Sequence, residues 1–355
     1  MAHKANPAPR TGAWPSTPVP RSDGYSEASR RRAPFRGNLA ALDLGTNNCR
    51  LLIARPEGDQ FVIVDAFSRI VRLGEGLSGT GRLSDAAIER TISALSVCAD
   101  KLSRRRVVLA RSVATEACRQ AVNGPEFVER VQRETGIMLD IISAREEARL
   151  AVLGCQALLE SGEGPAMIFD IGGGSTELVL LEGQKDHLRI VDWLSAPFGV
   201  VSLAEVVSGR GEGAAARALA YAEMLDRMRQ AFAGFAARLP AVGPLRLLGT
   251  SGTVTTLASV HLQLQRYDRQ AVDGLIVPAV AMRDIAKRLS GMSMAERVAL
   301  PCIGDERADL VVAGCAILEC ILDIWPAERL GVADRGIREG ILRSLLDSAS
   351  SRQLG

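Results

Sequence analysis

Apolar and polar residues along this 355-residue chain fall into two rhythms: short continuous apolar runs, and longer stretches with apolar residues three and four apart. The first predicts buried strands and the second amphipathic helices. Ile168 to Leu180 stands out, reading Ile-Phe-Asp-Ile-Gly-Gly-Gly-Ser-Thr-Glu-Leu-Val-Leu. Apolar residues lead to Asp170, three glycines follow, and apolar residues resume after Glu177, which predicts a strand, a tight turn and a second strand. Leu39 to Ile53 has the same form. With Asp43 set on Asp170, Gly45 falls on Gly172 and Thr46 on Gly173, an offset of 127 residues. A strand–turn–strand unit recurring at that distance predicts a duplicated domain.

The remaining pattern fills in around the two hairpins. Strands are expected at Phe61–Phe67, Val107–Ala114 and Ile137–Ile142, with a helix over Ser84–Leu102 that Ser84 would cap. Arg69 to Leu77 is a glycine-rich loop, and Thr115 opens a short helix carrying Glu116 and Arg119. Past the second hairpin come a strand at Leu188–Leu194, a turn at Ala196–Ser202, and an Ala- and Met-rich helix over Ala214–Leu239 that reads as core. Leu245–Leu248 leads through Gly249-Thr-Ser-Gly-Thr253 into another helix, and helices over Ala281–Trp325 precede a last strand and helix. This order predicts an α/β fold of two lobes with a cleft between them. The expected division is residues 38–148 for lobe one, with 337–350 packing back on it, and 149–336 for lobe two. Residues 1–37, rich in Pro, Ser and Arg without apolar periodicity, read as a disordered basic arm.

Composition narrows the function classes. No run of eighteen apolar residues occurs, and Leu310–Trp325 is too short and carries Glu319 and Asp323, so no membrane span is expected. Residues 1–37 hold seven Lys/Arg and two Asp/Glu, whereas the rest of the chain holds 36 and 39. The folded part is therefore slightly acidic, which speaks against a generic nucleic-acid partner. Seven cysteines without a C-x-x-C pair, and no signal peptide, read as reduced thiols of a cytoplasmic protein. Three scattered histidines exclude a histidine-centred metal cluster.

Candidate chemistry collects at the turns. Gly172, Gly173 and Gly174 would let the backbone take positive φ and approach a ligand, with main-chain N–H groups forming an anion nest and Ser175 and Thr176 adding hydroxyls. A structural glycine hairpin is the other reading. Asp170 at the strand end could hold a divalent metal against a bound phosphate. Gly249 to Thr253, feeding a helix N-terminus, is a further anion cradle. Ser143 and Glu146 form a capping box, which gives Glu146 a structural task. Glu147 has none; the first helical turn favours its ionised form, making it a candidate base or a solvated glutamate.

Taken together, these residues resemble the exopolyphosphatase and guanosine pentaphosphate phosphohydrolase family of the actin-like ATPase superfamily. The motifs are Asp43-Leu-Gly-Thr-Asn47, Ala114-Thr-Glu-Ala-Cys-Arg119, Ser143-Ala-Arg-Glu-Glu-Ala-Arg149, Asp170 to Glu177, Gly249 to Thr253, and Gly336-Ile-Arg-Glu-Gly340. The resemblance implies two duplicated actin-like (ribonuclease H-like) lobes with an interdomain cleft. It implies a base at Glu147 that activates water against a terminal phosphoryl group, and a substrate-contacting Arg119. Mg²⁺ would lie near Asp170 and Glu177, with Asp43 on the facing hairpin. Gly45, Thr46, Asn47, Gly172, Gly173, Gly174, Ser175, Thr176, Gly249, Ser251, Gly252 and Thr253 would hold phosphates. The implied substrate is inorganic polyphosphate or guanosine pentaphosphate, with a homodimer as the family expectation. Thr46-Asn47-Asn48-Cys49 stands where members often show Ser-Asn-Ser and an aromatic. A short form without the C-terminal His-Asp domain is expected, with less surface to grip a long polymer. A non-catalytic alarmone sensor and an actin-like kinase or filament protein are the readings from other classes.

Overall fold

A computed structural model gives the structure and describes residues 9–13, 37–58, 60–183, 188–209, 211, 213–239 and 245–352. The chain divides into two compact units. The first comprises Pro20–Gly154 with Gly336–Gly355, and the second Met1–Val19 with Cys155–Arg335. The division thus falls after Gly154 rather than at 148, because the helix Ala144–Cys155 stays with the first sheet almost to its end. Among the described residues no helix is long and apolar enough to cross a membrane.

The described chain begins with strand β1 (Arg10–Ala13), which belongs to the second unit. The first unit holds β2 (Asn38–Leu44), β3 (Asn48–Glu57), β4 (Gln60–Ile70), β5 (Val107–Ala114) and β6 (Leu139–Ile141), in the order β4-β3-β2-β5-β6. β2, β3 and β4 form an antiparallel meander; β5 and β6 run parallel to β2. Leu39 to Leu42 of β2 form a continuous apolar run because both faces of the strand are covered. Ala40, Leu42 and Leu44 meet Ile92, Leu95 and Phe127 on one face, while Leu39 and Ala41 meet Leu150, Ile341 and Leu342 on the other. Ser84 caps the helix Asp85–Arg104 by accepting from Ala87 N at 3.3 Å.

On that second face the helices Ala144–Cys155 and Ile337–Arg352 approach backbone to backbone. A Cβ on Gly340 would lie 2.0 Å from Leu150 O, and one on Gly154 1.8 Å from Gly336 O. Glycine is required there by the crossing itself.

The second unit holds β7 (Ala166–Ile171), β8 (Thr176–Glu182), β9 (Arg189–Ala196), β10 (Arg246–Thr250), β11 (Ile276–Pro278) and β12 (Arg329–Ala333), ordered β1-β9-β8-β7-β10-β12-β11. Without its edge strands β1 and β11, this is the first sheet again: an antiparallel meander β9-β8-β7 followed by two parallel strands. The offset that sets Asp43 on Asp170 also sets Asp65 of β4 on Asp192 of β9. Each aspartate is ion-paired with a basic residue at or just past the end of a long helix, Asp65 with Arg105 and Asp192 with Arg238. The meander therefore repeats without insertion. Its core is filled by Met224, Met228, Phe232 and Phe235 of the helix Ala214–Ala236, with both phenylalanine rings 5.8 Å from that of Trp325.

One expectation fails inside residues 1–37. Arg10–Ala13 is a strand paired antiparallel with β9, Arg10 opposite Ser195. A sheet edge offers a row of N–H and C=O groups that any extended segment can pair with, whatever its side-chain pattern. Residues 1–8 and 14–36 of the expected arm lie outside the described residues.

Candidate functional site

In the first unit, Asp43 is the penultimate residue of β2 and the turn is closed by Gly45 N donating to Asn48 O at 2.9 Å. The segment after β4 clamps this turn: Val71 N and Arg72 N donate to Asn47 O, and Gly74 N donates to Thr46 O at 2.9 Å. Asn47 Oδ1 is buried with no hydrogen-bond partner among the described residues, an acceptor left for a donor from outside the chain.

Glu147 lies in the same unit, 6% exposed, its own N–H donating to Ser143 O. Its Oε2 accepts from Arg119 Nη1 at 2.8 Å; Oε1 accepts no hydrogen bond among the described residues. Burial pushes the carboxyl up to about 7, Arg119 pulls it the other way, and the charges of Glu116 and Asp43 add to the rise. This corrects the expectation of an ionised carboxylate at a helix start: burial outweighs the helix N-terminus, whose effect is worth only a fraction of a unit to about one unit. The result is a group poised near neutrality, as a general base should be.

Two further expectations change. Ser143 Oγ does accept from Glu146 N at 3.2 Å, but the Glu146 carboxylate does not return to the cap. It is taken by Arg111 Nη1 and by Arg149, two charged donors that outcompete one backbone N–H. Arg119, expected at the substrate, spends Nε and Nη2 on Glu116 and Nη1 on Ile142 O and Glu147. Of its five N–H groups one remains for a ligand. Glu116 is the residue that sequence reasoning passed over, although its spacing of three from Arg119 on one short helix was visible.

In the second unit Asp170 is the penultimate residue of β7 and stands directly opposite Glu177 of β8. Both are buried, and like charges directly opposite in a ladder oppose each other. Ser195 Oγ donates to Glu177 Oε1 at 2.9 Å, and Ser251 Oγ donates to Asp170 Oδ1. Ser251 reaches Asp170 because β10 runs parallel to β7 with Thr250 beside Asp170. Its backbone is held at φ 76°, left-handed, a conformation that costs a non-glycine residue about 1 kcal/mol or more.

The glycine turn is closed by Gly172 N donating to Ser175 O at 3.1 Å. None of Gly172, Gly173 and Gly174 has left-handed φ, contrary to expectation. Close approach is what excludes side chains: a Cβ on Gly199 would fall 2.4 Å from Gly173 C. Gly172 O and Gly173 O accept from Val200 N and Val201 N, which turns the carbonyls towards the helix Val200–Val206. The N–H groups of Gly173, Gly174 and Ser175 donate to nothing among the described residues. Thr176, by contrast, is fully buried with its hydroxyl donated to Phe198 O, so it pins the clamp and has no donor to offer. Thr253 packs against Gly314, where a Cβ would lie 2.5 Å from its side chain.

The Ppx/GppA phosphatase family profile matches residues 52–349, most of the chain. The chain belongs to the Ppx/GppA phosphatase family. It is by that membership a hydrolase acting on anhydride bonds. It is 32% identical over 329 residues to exopolyphosphatase 2 of Mycobacterium tuberculosis, covering 86% of this chain and 98% of the relative. It is also 30% identical over 313 residues to the guanosine-5'-triphosphate,3'-diphosphate pyrophosphatase of Aeromonas hydrophila, spanning 59% of that longer protein. Among solved structures, the Aquifex aeolicus Ppx/GppA family member superposes with a TM-score of 0.72 at 30% identity, covering 88% of this chain and 98% of that one. The two duplicated sheets are those of this actin-like fold.

Family membership raises the question of a divalent metal. No group of three His, Cys, Asp or Glu residues able to hold a metal ion is found among the described residues. Mg²⁺ does not need one: it keeps several waters and binds through one or two carboxylates together with substrate phosphates. The opposed pair Asp170 and Glu177, each oriented by a serine hydroxyl, fits that requirement.

Proposed function

We propose that this Ppx/GppA member releases orthophosphate from the end of inorganic polyphosphate, with Glu147 as general base. The observation that carries the reading is the buried Glu147 carboxylate, one oxygen fixed by Arg119 and the other accepting nothing within the described protein. Water hydrogen-bonded to Oε1 gives its proton to Glu147 as its oxygen bonds to the terminal phosphorus. The bridging P–O bond breaks, the shortened chain leaves with the electron pair, and Glu147 passes the proton to solvent. No covalent intermediate is required, since phosphoryl transfer depends chiefly on positioning and charge neutralisation.

The N–H groups of Gly173, Gly174 and Ser175 would bind the non-bridging oxygens, and the backbone N–H groups of Thr46 and Asn47 would take the same role on the other hairpin. Asp170 and Glu177 would hold Mg²⁺, which when bound supplies positive charge against the phosphate oxygens. The 98% coverage of the Mycobacterium exopolyphosphatase supports polyphosphate as substrate. The Aeromonas relative supports a second reading, in which the same site removes the 5'-terminal phosphate of guanosine pentaphosphate.

Phosphate release measured side by side on long-chain polyphosphate, short polyphosphate and guanosine pentaphosphate, with and without Mg²⁺, tests both. The first reading expects the highest kcat/KM on a polyphosphate and Mg²⁺ dependence throughout. Preference for guanosine pentaphosphate would install the second reading. No release from any of the three would leave a binding protein and overturn both.

A further inference from the structure

Glu116 is a buried acid to which the reaction above gives no task. Its Oε2 accepts from Nε of Arg119 at 2.8 Å and from Nη2 of the same guanidinium, and its Oε1 accepts from Gln120 Nε2. Glu116, Arg119 and Gln120 stand three and four apart on the helix Glu116–Gln120, which brings them to one side of it. The same guanidinium reaches Glu147 through Nη1. One cation is thus shared by two buried carboxylates.

We propose that Glu116 is a positioning residue for the base: it grips the Nε–Nη2 edge of Arg119, so that Nη1 meets Glu147 Oε2 and Ile142 O and leaves Glu147 Oε1 for the water. This rests on the reading of Glu147 as the base. A guanidinium is a planar fork, and fixing one edge fixes the direction of the other. Without Glu116, Arg119 would be free to pair both its edges with Glu147, occupying both oxygens and stabilising the carboxylate until it was a poor proton acceptor. Sharing the cation prevents that, because Glu116, Arg119 and Glu147 together carry one net negative charge when both acids are ionised. The charged groups acting on Glu147 are Arg119, Glu116 and Asp43, the acids raising its proton affinity and the arginine lowering it. Glu146, next to it on the same helix, is turned to Arg111 and Arg149 instead.

The test is steady-state phosphate release by the full chain, against pH, for wild type, Glu116→Gln, Glu116→Asp and Glu147→Gln, with thermal melts alongside. Glu116→Gln keeps size and an oxygen acceptor while removing the charge. Its expected kcat is about tenfold lower, in the range of lost outer-shell support, with KM within about twofold. The acid limb of its kcat/KM profile should move about one unit to lower pH, as loss of a like charge requires. Glu116→Asp keeps the charge but shortens the reach, so kcat should fall with the acid limb unmoved. If Glu116→Gln melts below the assay temperature, Glu116→Asp decides alone, and wild-type kcat there overturns the proposal. Wild-type kcat and an unmoved acid limb in a folded Glu116→Gln overturn it as well. Undiminished turnover in Glu147→Gln would instead remove the base itself, which distinguishes the two failures.

Discussion

The β2–β3 and β7–β8 hairpins occupy the same place in the same strand order, 127 residues apart, and one bond of their clamps recurs at that offset. Gly74 N donates to Thr46 O at 2.9 Å, and at the same offset Val201 N donates to Gly173 O at 2.8 Å. The side chains are exchanged across this bond. Where the turn carries Thr46 the clamp has glycine, and where the turn has Gly173 the clamp carries Val201. A Cβ on Gly74 would lie 2.3 Å from Thr46 Cγ2, which is the reason for the exchange. The chemistry also differs: the first unit surrounds its hairpin with the buried Glu147–Arg119–Glu116 group, the second with paired carboxylates and three N–H groups that donate to nothing among the described residues. Duplication has kept the turn-closing bond and this one clamp bond and let the side chains around them diverge; on the proposed reading the first unit supplies the base and the second the phosphate-binding N–H groups.

The largest break in that comparison should come from Glu147→Gln. It removes the proposed base, and kcat should fall about a thousandfold, within the span of general-base loss, with substrate binding by calorimetry nearly unchanged. Next is Gly340→Ala. The helix Ile337–Arg352 closes the first unit across Leu150, and a methyl 2.0 Å from a backbone oxygen must displace one helix. The expected cost is about 3 kcal/mol or more by denaturant unfolding, at the upper end of overpacking effects.

Gly74→Val imposes the second unit's clamp on the first unit's turn and should cost about 2 kcal/mol. The double variant Thr46→Gly with Gly74→Val should recover most of that stability, a coupling a double-mutant cycle would register. Independent, additive effects would show that the exchange across the clamp is incidental.

The smallest effect belongs to Asp65, whose counterpart is Asp192. Hydrogen bonds from Lys101 and Arg105 hold its carboxyl down to about 2. A depressed folded value contributes stability above the unfolded value of 3.8, lost as pH falls through about 2. Asp65→Asn should cost about 1 kcal/mol or less at neutral pH, since its partners Lys101 and Arg105 remain partly open to solvent and the pairs are screened. Glu147 has the opposite sign. Its folded value is raised, so its contribution is fully present below 4.5 and is lost as pH rises through about 7.

Sequence reasoning found both hairpins, the repeat and the strand order around them, because glycine turns and apolar runs report backbone geometry directly. It singled out Glu147 as the candidate base by giving Glu146 a structural task, but misjudged both environments. Which carboxylate is buried depends on Arg111 and Arg119 arriving from elsewhere in the fold, and no local pattern encodes that. Thr176 was read as a ligand because it follows three glycines, yet strand alternation turns its hydroxyl inward to Phe198 O. β1 was invisible because pairing at a sheet edge is a backbone property and leaves no trace in side-chain periodicity. Ser251 was placed by its motif, whereas its left-handed backbone and its bond to Asp170 depend on β10 lying beside β7.

The most direct test of the account is the pH dependence of kcat/KM for phosphate release by the wild-type chain. A buried base raised to about 7 predicts a rate that climbs tenfold per pH unit from about pH 5 and levels off above about 7. A rate independent of pH between about 5 and 8 would mean that no group of this kind accepts the proton, and Glu147 would lose its part in the reaction.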